Sequence, residues 1–143
     1  MAAAGYSGTP LPQKLGIKEA HRIAFVGAPP EFATALGALP LTTTVERGLS
    51  ARGKSPPLLD VIVVFVKRRA DLVTQIDASR PRMSPACGLW IAWPKKSSGV
   101  ATDLTEDTIR EVALPTGLVD NKVCAIDQTW SGLRLVIRKQ LRK

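Results

Sequence analysis

Metal-binding and nucleophilic residues are scarce in this chain, which has one histidine, His21, and two cysteines, Cys87 and Cys124, among 143 residues. The cysteines are far apart and form no CxxC pair, so neither a metal site nor a Ser-His-Asp or Cys-His arrangement is supported. Both cysteines lie in or beside apolar stretches, which is typical of reduced packing residues. His21 comes at the start of a predicted strand and is interpreted as structural. We therefore expect no metal, no bound cofactor and no evident catalytic group.

Long apolar runs are also missing, and no run approaches the roughly 20 residues of a membrane-spanning helix. The first residues, Met1 to Ala4, lead into Gly, Tyr and Ser without the pattern of a secretory signal. These features predict a cytoplasmic protein that does not enter membranes. The length fits one domain. We predict an N-terminal arm over 1–20, an α/β domain over 21–138 and a basic tail over 139–143.

Acidic residues are in the minority, with 12 Asp and Glu against 20 Lys and Arg, and the net charge is +8. Such an excess favours anionic partners, which include a small anionic ligand, nucleic acid and an acidic protein. Part of the excess belongs to Arg138 to Lys143, where four cations are equally consistent with a solvated tail.

The stretch from Asp60 to Lys67, DVIVVFVK, contains the most continuous apolar run, Val61 to Val66. A strand is apolar at every position only when both of its faces are covered. We therefore predict the central strand of a sheet with helices on both sides. A short buried helix is the alternative, but the β-branched and aromatic residues favour a strand.

Strands and helices alternate along the rest of the chain, and one hairpin closes it. Alternation of this kind predicts a mainly parallel sheet with right-handed crossovers. The predicted fold class is a single Rossmann-like α/β domain with about six strands, ending in an antiparallel hairpin. The other predicted strands are residues 21–26, 41–45, 88–93, 122–126 and 133–137; helices follow Pro30, Arg69 and Thr105, and an exposed loop covers 46–57.

The element order over 21–138 resembles a shortened class I methyltransferase fold. Five motifs also resemble a small bacterial family of unknown function, and this resemblance covers most of the chain. It implies a small cytoplasmic bacterial protein and no particular chemistry. The motifs are GYSGTPL (5–11), KLGIK (14–18), WPKKSSGVATDLTED (93–107), VDNKVCAID (119–127) and TWSGLR (129–134).

A nucleotide-type cofactor site after the first strand normally needs several glycines and an acidic residue. Here Gly27 stands alone, and Pro29 and Pro30 remove two amide donors. Glu46 follows Gly27 by 19 residues, the spacing of a ribose-binding acid, although a surface glutamate is the commoner explanation. An active methyltransferase is therefore the least favoured of our hypotheses.

Two groups of cations follow neighbouring strands. Lys67 and Arg68 lie at a helix start, where the helix dipole disfavours positive charge. Ligands bind at the carboxyl edge of open α/β sheets, where hydroxyls, amides and lysines suit a phosphate or carboxylate. The alternative is that these cations are solvated and pair with the carboxylates of Asp71, Asp103 or Glu106. The predicted anion site comprises Lys67, Arg68, Lys95, Lys96, Ser97 and Ser98.

Trp130 falls in the predicted hairpin loop, Asp127 to Gly132. An indole there either folds back into the core or lines a binding cleft. We predict a cleft wall formed by Trp93, Asp127, Trp130 and Ser131.

Three functions remain open at this stage. The preferred one is a non-catalytic domain that binds an anionic ligand at the carboxyl edge, so an enzyme is not favoured. A basic module that binds nucleic acid or an acidic protein is the alternative. The methyltransferase comes last.

Overall fold

A sheet of six strands forms the centre of the computed structural model, which describes residues 9–49 and 57–142. The order across the sheet is β2-β1-β3-β4-β6-β5. Strands β1 to β4 are parallel to one another, and β6 is antiparallel to β4 and β5. The predicted α/β fold class is confirmed. The strands are β1 (Arg22–Val26), β2 (Thr44–Arg47), β3 (Leu59–Phe65), β4 (Met83–Pro94), β5 (Leu118–Ala125) and β6 (Trp130–Ile137).

The predicted central strand is β3, which lies between β1 and β4. Successive side chains of a strand point to opposite faces. Val61 and Val63 accordingly join one buried cluster, while Ile62 and Val64 join the other. Because both clusters are closed to water, the strand is apolar without interruption.

Within residues 9–49 and 57–142, four α-helices cover the two faces of the sheet: α1 (Leu11–Lys14), α2 (Pro30–Leu36), α3 (Arg69–Ser79) and α4 (Glu106–Ala113). Leu11 and Phe32 of α1 and α2 pack into one cluster, and we call this side the α2 face. Leu72 and Ile109 of α3 and α4 pack into the other, on the α3 face. Burying each of these side chains contributes about 1.5 to 3 kcal/mol.

Contacts to the sheet hold the segment around α1 in place. Leu11, Leu15 and Ile17 are buried, and the indole Nε1 of Trp90 donates a 3.0 Å hydrogen bond to the Leu15 carbonyl. This buried bond satisfies the polar end of a large core side chain. Residues 1–8 of the predicted arm lie outside the described residues.

The predicted start of α4 is confirmed. The Thr105 hydroxyl accepts a 3.2 Å hydrogen bond from the Thr108 amide, and Glu106 and Asp107 occupy the first turn. An N-cap hydroxyl satisfies an amide that has no partner within the helix, and the acids complement the helix dipole.

The second strand and the loop after it differ from the prediction. The chain turns at Thr42, where φ is 60°, and the neighbouring Leu41 is 73% exposed. β2 therefore begins at Thr44, and Glu46 is a strand residue rather than the start of a loop. Residues 50–56 of that predicted loop lie outside the described residues.

The final hairpin also differs, because β6 already begins at Trp130. Ser131 and Gly132 resemble turn residues in the sequence, but both lie in the strand. A Cβ at Gly132 would come within 3.0 Å of Ile126 and 3.1 Å of Trp90. Glycine is therefore present for close packing and not for a turn. At the edge of the sheet, β5 pairs with β6 with a register irregularity between Asp120 and Lys122.

In the described parts of the chain, none of the helices has the length and apolar character needed to cross a membrane.

One buried hydroxyl yields a stability prediction. Within the described residues, the Ser79 hydroxyl at the end of α3 is buried and has no hydrogen-bond partner. An unsatisfied buried polar group costs roughly 1 to 3 kcal/mol. We expect Ser79→Ala to leave the free energy of unfolding unchanged or to raise it by up to about 1 kcal/mol. The matched loss of a bonded hydroxyl, Thr105→Ala, should lower it by about 1 kcal/mol. Urea denaturation measures both variants, and a loss above 1 kcal/mol in Ser79→Ala contradicts the analysis.

Candidate functional site

The cations after β3 lie where a loop closes over the end of the strand. The Lys67 carbonyl accepts hydrogen bonds from the Thr102 hydroxyl at 2.6 Å and from the Asp103 amide at 3.3 Å. The exposed side chains of Lys67 and Arg68 line an open cavity of about 250 Å³ together with residues 101–103. Two of the predicted site residues therefore share one cavity.

Asp103 supplies the negative charge at the start of α3. Its Oδ1 accepts a 2.8 Å hydrogen bond from the Arg69 amide, the first residue of the helix. A carboxylate at this position satisfies a free amide and complements the helix dipole. The Asp103 carboxylate therefore offsets the unfavourable interaction between the cations and the helix dipole, as in the alternative of solvated cations.

The second group of predicted residues forms a tight loop after β4. The Ser98 hydroxyl donates to the Lys95 carbonyl at 2.6 Å and accepts from the Val100 amide at 3.1 Å. The Lys95 amide donates to the Thr129 carbonyl at 2.7 Å, which ties the loop to the final hairpin. The Ser98 hydroxyl thus has a structural role in the loop.

The cavity beside Lys67 and Arg68 does not include the second group of predicted residues. Its remaining lining comes from 101–103, and Lys95, Lys96, Ser97 and Ser98 are not part of it. Both groups follow strand ends at the carboxyl edge, but this cavity is lined by the first group alone. Ligand binding by these six residues stays a prediction.

Trp93 and Trp130 lie on opposite faces of the sheet. Trp93 is 7% exposed and packs on the α3 face, whereas Trp130 is 5% exposed and packs on the α2 face. The register of the strands explains this. Trp93 pairs with Ser131 and shares a face with it, and Trp130, the residue before Ser131 in β6, points to the other face. The two indoles therefore do not face each other across a cleft.

Asp127 and Ser131, the other predicted wall residues, have local roles. The Asp127 Oδ1 accepts 2.8 Å hydrogen bonds from the amides of Thr129 and Trp130. This geometry is an Asx turn, which fixes the reversal between β5 and β6. Ser131 lies in β6, between its partners in β4 and β5. That these residues bind a ligand stays a prediction.

Four aromatic rings meet on the α2 face, near the carboxyl ends of β1 and β3. Phe25 contacts Phe32 with a centroid distance of 5.2 Å, Phe32 contacts Phe65 at 4.9 Å, and Phe65 contacts Trp130 at 5.1 Å. All three pairs are edge-to-face, the arrangement that ring quadrupoles favour. Within the described residues, the buried Nε1 of Trp130 has no hydrogen-bond partner.

The turn after β1 is shaped by Gly27, whose φ is 68°. A Cβ there would lie 3.2 Å from the carbonyl oxygen of Phe65, so the turn passes close to the end of β3. Glycine is the residue that allows both the positive φ and the approach. α2 then starts at Pro30, after Pro29 at the N-cap, with Glu31 in its first turn.

Glu46 is oriented by a partner that the sequence does not suggest. Its Oε2 lies 2.8 Å from the guanidinium of Arg82, whose side chain is 7% exposed and also donates to the Pro57 carbonyl. Glu46 lines an open cavity of about 530 Å³ with Arg47, Gly48 and Leu49 at the end of β2. Because Arg82 is 36 residues away in sequence, no local pattern predicts the pair.

The two cysteines have raised thiol pKa values, and the single histidine lies in a local hydrogen bond. Burial raises the pKa of the Cys87 thiol from its ordinary value of 9.0 to about 12. Burial also raises the pKa of Cys124. A raised pKa disfavours the reactive thiolate. The Nδ1 of His21 accepts a hydrogen bond from the Lys18 amide, and no group of three metal-ligating side chains exists in the described parts of the chain.

Solved structures with a similar fold include several methyltransferases. A protein assigned to the type 11 methyltransferases from Sulfolobus solfataricus matches with a TM-score of 0.63 and 10% identity, over 93% of this chain and 92% of that one. An S-adenosylmethionine-dependent methyltransferase from Aquifex aeolicus matches with a TM-score of 0.60 and 13% identity, over 87% of each chain. The likeness shows a shared Rossmann-like α/β fold. A precorrin-6y C5,15-methyltransferase from Geobacter metallireducens matches with a TM-score of 0.56 and 10% identity, over 90% and 85%.

No family model and no curated protein sequence matches the chain. The similarity to methyltransferases therefore concerns the fold. It nevertheless corrects our preferred hypothesis: the similar proteins are enzymes, which overturns the non-catalytic anion-binding domain and the preference against an enzyme. The basic interaction module is likewise not favoured. The order of the elements, and not the number of glycines after β1, carries the similarity.

The burial of Trp130 leads to a prediction about the aromatic cluster. Trp130→Ala should lower the free energy of unfolding by ~3 to 5 kcal/mol, because it leaves a cavity beside Phe65. Trp130→Phe keeps an edge-to-face ring and removes an unsatisfied N–H, so it should cost less than about 1.5 kcal/mol. Urea denaturation of both variants tests this. Equal losses in the two variants would show that the indole, and not ring packing, matters.

Cys87 predicts a dependence of stability on alkaline pH. Because the thiol has a pKa of about 12 in the folded chain and 9.0 when free, only the unfolded chain ionises between these values. The stabilising contribution is complete below pH 9 and is lost as the pH rises towards 12. The slope approaches about 1.4 kcal/mol per pH unit in that window. Cys87→Ala should show a shallower decline above pH 9 in urea denaturation, and parallel curves for both proteins would contradict the prediction.

Proposed function

We propose that this protein is an S-adenosylmethionine-dependent methyltransferase. The observation that carries the proposal is the sheet itself, in which the order β2-β1-β3-β4-β6-β5 ends in a reversed β6. The solved structures with this fold include S-adenosylmethionine-dependent methyltransferases. Ligands of open α/β sheets bind beyond the carboxyl ends of the strands, and the turns after β1, β2 and β3 lie there.

The residues at this edge form a smaller version of the usual site for the adenosyl donor. Gly27, with its positive φ of 68°, lets the turn pass close to the end of β3, which puts the turn backbone at the carboxyl edge where a ligand binds. Glu46 is a carboxylate held by Arg82 beside an open cavity, which suits the hydroxyls of a ribose. Pro29 and Pro30 offer no amide protons, so the glycine-rich loop of dinucleotide sites is replaced by a shorter turn.

Each residue has a separate part in this arrangement. The turn at Gly27 would hold the donor by its backbone, and Glu46 would accept hydrogen bonds from the sugar. The ring cluster around Phe65 keeps water from the α2 side of the edge. When bound, S-adenosylmethionine supplies an electrophilic methyl group. The chain then has to orient an acceptor towards it.

Isothermal titration calorimetry with S-adenosylmethionine and S-adenosylhomocysteine tests the proposal. We expect binding by the wild type and a loss of about tenfold in affinity in Gly27→Ala, equivalent to ~1.4 kcal/mol. The added methyl group would enter the close approach between the turn and Phe65. Absence of heat with the wild type at high protein concentration would refute the proposal.

Gly37→Ala is the matched control. Gly37 has a φ of 70°, close to the 68° of Gly27, so both substitutions place a Cβ on backbone with a positive φ. A Cβ at Gly37 meets no atom within 4 Å among the described residues. Its affinity for the donor should therefore equal that of the wild type, and an equal loss in both variants would assign the effect to strain.

We also propose an anionic methyl acceptor, either nucleic acid or an acidic protein. The net charge of +8 supports this. A cytoplasmic bacterial setting is a further proposal, and it is supported by the five sequence motifs that resemble a small bacterial family.

A further inference from the structure

Two arginines, Arg134 and Arg142, share a small cavity on the α2 face of the sheet, near the start of β4. The cavity has a volume of about 160 Å³, well above what a single water needs. Ala86, in its wall, lies eight residues before Pro94 at the far end of β4, roughly 26 Å along the strand. The cavity is thus separate from the carboxyl edge. Its lining is Pro85, Ala86, Asn121, Arg134, Val136 and Arg142.

The position of the Arg134 side chain depends on a glycine. A Cβ at Gly88 would lie 2.5 Å from the Arg134 Nε, so any other residue there would displace the guanidinium. Arg134 also donates a 3.4 Å hydrogen bond to the Asn121 side chain. The guanidinium therefore lies directly against the backbone of β4 at Gly88, where only glycine leaves space for it.

The positive charge of this pair is not balanced within the described chain. In residues 9–49 and 57–142, the ion pairs involve Arg69, Arg82 and Arg110 but neither Arg134 nor Arg142. Burial lowers the pKa of the Arg134 guanidinium, and the charge of Arg142 lowers it further. Two neighbouring like charges, one of them half-buried, are unfavourable unless an anion joins them.

The remaining polar contacts leave donors for such an anion. Arg142 uses its Nε to donate a 2.8 Å hydrogen bond to the Ile137 carbonyl, which fixes the side chain beside β6. The guanidinium is planar and carries five N–H donors, which suit bidentate contact with an oxyanion. The nearby Cys87 contributes no compensating charge at neutral pH, because its pKa is about 12.

We propose that Arg134 and Arg142 form a binding site for a phosphate group, either free or carried by a larger molecule. A phosphate monoester carries a charge of about −1.5 to −2 at pH 7, which matches two guanidinium groups. The Asn121 amide in the same wall adds a neutral hydrogen-bonding group. The site is independent of the proposed methyl transfer, since it lies at the other end of β4.

Calorimetric titration with inorganic phosphate at constant ionic strength tests the site, with chloride as the balancing salt. We expect the wild type to bind with a Kd of about 1 mM or below. Arg142→Gln should weaken binding about tenfold or more. Arg142 is exposed, so this variant should fold normally. Absence of binding by the wild type, or full affinity in Arg142→Gln, would overturn the proposal.

Two further variants separate charge from geometry. Lys139→Gln removes one exposed positive charge of the same segment but does not alter the cavity lining, so it should bind phosphate like the wild type. Gly88→Ala keeps every charge and displaces the Arg134 guanidinium, so it should weaken binding about tenfold. Equal weakening in Lys139→Gln and Arg142→Gln would indicate a general charge effect and contradict a built site.

A second ligand identifies the form in which phosphate is recognised. A nucleoside 5′-monophosphate that binds as inorganic phosphate does supports a site for the phosphate group alone. Tighter binding of the monophosphate supports a larger ligand that extends from the cavity. In both cases the affinity must fall in Arg142→Gln. Retention of monophosphate binding in that variant would place the ligand elsewhere and count against the site.

Discussion

Burial of β3 on both faces is the constraint on which the other elements depend. The strand contributes Val61 and Val63 to one side and Ile62 and Val64 to the other, so each side needs its own cover of helices. α1 and α2 provide one cover, and α3 and α4 provide the other. Crossovers between parallel strands then follow, because every return to the sheet has to pass over a face. The carboxyl edge, where the turn at Gly27 meets the end of β3, is a product of this layering.

Polar contacts between distant segments complete what apolar packing begins. Asp103, in the loop after β4, accepts a hydrogen bond from the first amide of α3. Arg82 binds Glu46 of β2 and the Pro57 carbonyl, and so connects β2 to the segment before β3. In each contact a charged side chain satisfies a backbone group, the Arg69 amide in one case and the Pro57 carbonyl in the other. Loops at the edge are therefore held by specific hydrogen bonds, and Glu46 is held in one orientation. Such preorganisation favours ligand binding, because less ordering remains to be done.

The sequence predicts the sheet well because apolar periodicity reflects burial directly, and the runs at β3 and β4 are buried on both faces. It fails where a residue type has two uses. Gly132 was interpreted as a turn residue, but it is a strand residue that admits Trp90 and Ile126. Arg142 was assigned to a solvated tail, and only the fold brings it beside Arg134. Asp103 lies 34 residues from Arg69, and Arg82 lies 36 residues from Glu46, so local patterns carry no sign of these pairs.

The last strand of the sheet, β5, has consequences for the behaviour of the protein at high concentration. An outer strand presents unpaired amides and carbonyls that invite another chain to add a strand, and Val123 is 52% exposed there. The irregular register between Asp120 and Lys122 interrupts the row of backbone groups, and the charge of Lys122 lies within it. A second molecule would have to accommodate a bulge and bury an ammonium group to continue the sheet. The outer strand thereby discourages fibre-like assembly and leaves the remaining surface free for recognition.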